Sequence, residues 1–132
     1  MKSIHINISK HVADLTNHVT TNTDRFVLNE TNIASLHLNP DKGYVYVFFV
    51  DGKPMYAGKS ETKRLKYRLK QHSEGAATSV STKHKEIVAA RKAGKKVTFT
   101  VVEISPTSFT STMETELILA LGLRQKWNKR TS

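Results

Sequence analysis

Seven consecutive β-prone residues, Tyr44 to Val50, form the longest apolar run in the chain, and the polar pair Asp51-Gly52 ends it. Both central residues of a type I′ turn need positive φ, which Gly supplies freely, so the pair predicts a tight two-residue hairpin turn. A short second strand, about Pro54 to Ala57, returns antiparallel, with Pro54 at its start where no ladder donor is missed. Gly58 turns the chain out of that strand. Ser60 is then the expected cap of a helix whose first residue, Glu61, suits the positive end of the dipole. At about 100° per residue, Leu65, Arg68, Leu69 and His72 share the face that packs on the sheet, while Lys63, Lys66 and Lys70 point away.

The same patterning divides the rest. Ser9 is the expected cap of a short helix with Val12, Leu15 and Val19 on one side, followed by a polar loop through Thr20 to Asp24. Extended pieces are expected around Phe26-Val27-Leu28 and Leu36-His37-Leu38, and the run Asn39 to Gly43 marks a boundary. Residues 1–43 therefore read as an N-terminal extension, helix plus extended segments, packed on or appended to a core at 44–132. Beyond His72, Ser73 to Ser79 reads as a loop and Ser81 as the start of a helix that ends at Gly94. A strand from Val97 to Ile104 sets Val97, Phe99 and Val101 on one face and Thr98 and Thr100 on the other. Ser105-Pro106 breaks it, and a last helix runs from about Thr112 to Leu123. The fold class expected is α+β, a small three-stranded, largely antiparallel sheet flanked by helices.

Length and composition narrow the function classes. The 132 residues suffice for one core. With no cysteine there is no disulfide framework, thiolate metal site or cysteine nucleophile. No segment reads as a signal core or a membrane span, so a soluble cytoplasmic protein is expected. The net charge of +10 is lopsided: residues 1–43 hold four basic and four acidic residues, and residues 44–132 hold seventeen and seven, so 17 − 7 carries the whole excess. Six basic residues fall between Lys59 and Lys70, four between Arg91 and Lys96, and four between Arg124 and Arg130. One such cluster is a solvated helix face; three in one domain favour a polyanion, most simply nucleic acid.

Several side chains have both a structural and a chemical reading. Arg68 and His72 interrupt an apolar stripe, either as edge residues that snorkel or as site residues, because buried charge is costly without a partner. Tyr46 and Tyr56 are either a cross-strand aromatic pair or part of a site. Glu114 either closes a capping box with Ser111 or presents a carboxylate to a metal. Glu116 competes with it but is rotated by about 200° on a helix. His5, His11, His18 and His37 show no metal-ligand spacing.

The triplets Tyr44-Val45-Tyr46 and Tyr56-Ala57-Gly58, then Arg68, His72, Glu114 followed by Thr115-Glu116-Leu117-Ile118, and finally Trp127-Asn128, stand in the order of the GIY-YIG nuclease superfamily. The chain resembles that family over residues 44 to 128. It departs from the pattern at Tyr44 for Gly, Val45 for Ile and Ala57 for Ile, and in a longer step from Tyr56 to Arg68. The stretch Ser81-Thr82-Lys83, the helix to Ala93-Gly94, then Lys96-Val97 and Phe99 are similar to a small phage member, whose functional Lys falls on Lys83. Otherwise Lys83 reads as an exposed first-turn lysine.

The resemblance implies a DNA endonuclease that hydrolyses phosphodiester bonds with one divalent metal, Mg²⁺ with Mn²⁺ able to replace it. Glu114 is the implied metal ligand. Tyr46 orients or deprotonates the attacking water, which requires a lowered pKa from nearby Lys or Arg. Arg68 donates to the non-bridging oxygens, Tyr56 and His72 bond water or phosphate, and Asn128 positions Glu114. Gly58, Lys59, Lys63, Lys66 and Lys83 are the implied DNA-binding positions. One such site cuts one strand, so double-strand cleavage needs a homo-oligomer or two successive nicks. The alternative is a non-catalytic nucleic-acid-binding module on the same scaffold.

Overall fold

The structure, a computed structural model, describes residues 8–21, 25–75 and 82–128, with the side chains of 8–11 and 82 left aside. The elements run α1 (Ile8–Thr21), β1 (Phe26–Val27), α2 (Glu30–Ala34), β2 (Gly43–Val50), β3 (Lys53–Glu61), α3 (Thr62–Glu74), α4 (Thr82–Lys92), β4 (Val97–Ile104) and α5 (Thr110–Ala120). Short 3₁₀ turns flank α5 at Thr107–Phe109 and Leu123–Gln125. The fold is α+β, with an antiparallel sheet ordered β1-β4-β2-β3.

The apolar run is the central strand. Every residue of β2 is buried, and alternation sends its side chains into two different cores. Tyr44, Tyr46, Phe48 and Val50 pack with Ile33, Leu65, Leu69 and Ile87 from α2, α3 and α4. Val45, Val47 and Phe49 pack with Leu15, Val19, Met113 and Leu117 from α1 and α5. Helices thus cover both faces of the sheet. Full burial stabilises by about 1.5–3 kcal/mol for each such large side chain.

The hairpin turn forms as its residues require: Asp51 and Gly52 have φ of 48° and 81°. The Asp51 carboxylate also accepts from the Lys96 backbone N–H at 2.8 Å, tying the turn to the start of β4.

Four expectations need correction. The sheet has four strands, not three, because Phe26 and Val27 pair with Phe99 and Thr98 at the edge of β4. Gly58 does not end β3; it sits mid-strand opposite Tyr46, and the strand continues to Glu61. Ser60 is not the cap of α3, whose cap residue is Glu61 without a side-chain bond. The final helix starts at Thr110 rather than Thr112 and ends at Ala120. α1 begins at Ile8, so Ser9 lies within it, with its side chain outside the described set. The loop expected from Ser73 is shorter at its start, since α3 continues through Ser73 to Glu74; its residues 76–79, the start of a helix at Ser81 and His5 fall outside the described residues.

Candidate active site

Tyr46 leaves the middle of β2 on the α3 side and is 0% exposed. Its ring has room there only because residue 58, its partner across the ladder, carries no side chain. A Cβ on Gly58 would come within 2.4 Å of Tyr46 Cζ and Oη. The Tyr46 hydroxyl is 2.9 Å from His72 Nε2, delivered from the last turns of α3. The Tyr56 ring packs beside both, 6.2 Å from Tyr46 and 5.6 Å from His72 between centroids. One turn before His72 on the same helix, Arg68 lies near enough for its charge to act on the Tyr46 hydroxyl. The arginine and histidine that interrupt the apolar stripe of α3 therefore meet the two tyrosines at one place.

Burial decides the protonation states. His72 is 2% exposed, and desolvation, with Arg68, Lys83 and His84 adding positive charge nearby, lowers its pKa to about 3. The imidazole is neutral at physiological pH. Tyr46 is pushed well above the ordinary phenol value by burial and then by Tyr56, with Arg68 offsetting only part. The expectation that neighbouring cations lower the Tyr46 pKa is thus overturned: the desolvation penalty on a buried phenolate exceeds the attraction of Arg68. Tyr46 is a protonated phenol in contact with a neutral imidazole.

Glu114 approaches from α5 on the other side of the sheet edge. Tyr56 is raised by burial first and by the Glu114 charge second, while Arg68 pulls it down, so Tyr56 lies within electrostatic reach of both. The Glu114 carboxylate is itself pushed up by burial, against the pull of Lys59. Its capping-box role does not form: α5 is capped by Phe109 without a side-chain bond. The Ser111 hydroxyl instead accepts from Lys59 Nζ at 2.5 Å. Glu116 faces away, lining a surface groove with Val12, Thr16 and Thr20 of α1.

Asn128 does something other than expected. Its Oδ1 accepts from the Ala57 N–H at 2.8 Å and its Nδ2 donates to the Ala57 carbonyl at 2.9 Å. The Trp127 N–H donates to the Met55 carbonyl at 3.0 Å. These bonds continue the ladder along the outer edge of β3, holding the strand that carries Tyr56. Asn128 therefore braces Tyr56's strand rather than Glu114.

The basic candidates divide. Lys59 lines a cleft of ≈ 470 Å³ with Arg68, Thr110 and Ser111. Lys83 bonds the Trp127 carbonyl and holds Nζ 5.4 Å from the Tyr56 ring centroid, so it is half-buried beside the tyrosines. Lys66 donates to the Ala34 carbonyl at 2.9 Å on the α2 side, and Lys63 is exposed on the same helix. Two residues that pattern reading passed over also belong here. His84 Nδ1 is 3.1 Å from the His72 carbonyl. Arg64 lines the cleft; its spacing of four from Arg68 was the available signal.

Among the described residues no group of three or more His, Cys, Asp or Glu side chains stands ready to hold a metal ion. The donor set is one hard carboxylate, Glu114, in a site with nearby cations. Mg²⁺ keeps most of its water and can be held by one or two protein carboxylates, so Glu114 is the residue here that could hold it, with the Lys59 charge working against the ion. No family model, curated protein or solved structure matches the chain.

Proposed function

We propose that the protein is a metal-dependent DNA endonuclease of the GIY-YIG kind, hydrolysing phosphodiester bonds at the Tyr46–Tyr56–Arg68–His72–Glu114 cluster. The observation that carries this reading is the environment of Tyr56, which feels both the Arg68 cation and the Glu114 carboxylate while packing against Tyr46 and His72. A cation for the phosphate, a carboxylate for the metal and a hydroxyl–imidazole pair to orient the attacking water suit phosphodiester hydrolysis.

With the ring proton on Nδ1, His72 Nε2 accepts from the Tyr46 hydroxyl and fixes its direction. The Tyr46 oxygen accepts from the attacking water, which adds to phosphorus as the P–O3′ bond breaks, its proton passing to bulk water. Neither a phenolate nor an imidazolium forms, because burial disfavours both. Arg68 hydrogen-bonds the non-bridging oxygens as their charge grows. When bound at Glu114, Mg²⁺ supplies charge neutralisation at the leaving 3′ oxygen.

The test is supercoiled plasmid incubated with the protein and Mg²⁺, beside EDTA and a Glu114→Ala variant. Nicked or linear product that disappears in both controls is the expected result. Cutting by Glu114→Ala at the parent rate removes Glu114 from the mechanism. A salt-dependent gel shift without any cutting replaces the enzyme with a non-catalytic binding module.

A further inference from the structure

The cleft beside the cluster extends past the reacting groups: of the five cluster residues only Arg68 lines it. One wall is α3, with Arg64 and Arg68; the other is the first turn of α5, with Thr110 and Ser111. Lys59 crosses from β3 to the Ser111 hydroxyl. The ionisable lining is Lys59, Arg64 and Arg68 against Glu61, so 3 − 1 leaves +2. Of the other lysines of α3, Lys63 is exposed but does not line the cleft, and two are already engaged. Lys66 bonds the Ala34 carbonyl and Lys70 pairs with Glu30 at 3.2 Å. Among the described residues Arg64 has no such partner, and its side chain is exposed.

Resting on the nuclease reading, we infer that this cleft is a second phosphate subsite, in which Arg64 takes the phosphate next to the one that is cut. Arg64 and Arg68 are one helical turn apart, about 6 Å along the axis, the order of the spacing between successive phosphates of one strand. Arg68 holds the reacting phosphate against Tyr46, and Arg64 fixes its neighbour between the α3 wall and the Lys59–Ser111 wall. The planar guanidinium suits a phosphate whose two free oxygens face the cleft. The subsite sets the register of the strand without reading bases, because phosphate contacts position and do not specify.

The experiment measures binding alone. A Glu114→Gln protein is titrated with a fluorescent DNA duplex in EDTA across a range of salt, alone and with Arg64→Ala, Arg64→Lys or Lys53→Ala added. Each phosphate contact contributes about 0.9 to the slope of log affinity against log salt. Arg64→Ala is expected to reduce that slope by about one, Arg64→Lys to keep it, and Lys53→Ala, exposed at the far end of the hairpin from the cleft, to leave it unchanged. An unchanged slope in Arg64→Ala, or an equal loss in Lys53→Ala, overturns the subsite while the nuclease reading stands. A parent that does not bind the duplex at all removes both.

Discussion

At the scale of single residues, the site depends on an absent side chain as much as on those present. Gly58 has an ordinary strand conformation, so its value lies in the space it leaves for Tyr46. Replacing it by Ala would put a methyl 2.4 Å from the Tyr46 hydroxyl carbon and oxygen. Tyr46 is wholly buried between Phe48, Tyr56 and His72, so its ring cannot yield without breaking the contact to Nε2. Gly58→Ala is therefore expected to destabilise the fold by about 1–3 kcal/mol, the usual cost of overpacking. It should also slow plasmid nicking on the order of a hundredfold, since small displacements of a reacting group carry that penalty. Thermal melts followed by circular dichroism, with nicking rates at a temperature where the variant is folded, separate the two effects. A folded variant that nicks at the parent rate would mean that Tyr46 takes no part in placing the attacking water.

At the scale of elements, α3 is positioned from its C-terminal end. Arg91 of α4 donates to the Ser73 carbonyl at 2.7 Å, the Ser73 hydroxyl at 2.9 Å and the Leu28 carbonyl at 2.7 Å. Together with His84 on the His72 carbonyl, it clamps the turn that presents His72 to Tyr46. Arg91→Ala is expected to cost about 1–2 kcal/mol, water replacing part of what is lost at this exposed side chain. Faster hydrogen exchange should then be confined to the Gln71–Glu74 amides, with α5 unaffected; equal exchange throughout would show that the clamp holds nothing. The clamp also illustrates which features were legible from sequence. The Val97–Ile104 strand and the Asp51-Gly52 turn follow from alternation and local φ demands, and both form where those signals lie. The extended piece at Phe26-Val27-Leu28 was legible, but its place in the sheet was not, because the two-residue β1 pairs with β4 some seventy positions away and no local pattern encodes that partner. Arg68 and His72 were visible as polar interruptions of an apolar face. Their protonation states were not, because desolvation depends on packing that spacing does not encode. The Asn128 brace on Ala57 escaped for a related reason: completing a strand edge leaves no periodic trace.

At the scale of the whole molecule, a buried histidine and a half-buried carboxylate give the stability a pH dependence of mixed sign. His72 has a folded pKa of about 3 against an ordinary 6.5, chiefly through desolvation and then through Arg68, Lys83 and His84. The folded state binds that proton less tightly than the unfolded one. Its contribution is therefore complete above pH 6.5 and is lost as pH falls toward 3, reaching on the order of 5 kcal/mol. That is comparable with the whole stability of many domains. Glu114 acts oppositely: its folded pKa is raised, so its contribution is full below the ordinary carboxylate value and is lost as pH rises through the raised one. Below about pH 6.5 the histidine dominates, because its shift is large and begins at a higher pH. Urea midpoints are thus expected to fall steadily from pH 7.5 through 6 to 5, before ordinary carboxylates titrate. A His72→Gln variant keeps an amide acceptor for the Tyr46 hydroxyl but has no proton to gain, so its midpoint should vary much less over that range. Parallel decline of both proteins would place the acid sensitivity elsewhere and would leave the neutral imidazole that accepts from the Tyr46 hydroxyl without support.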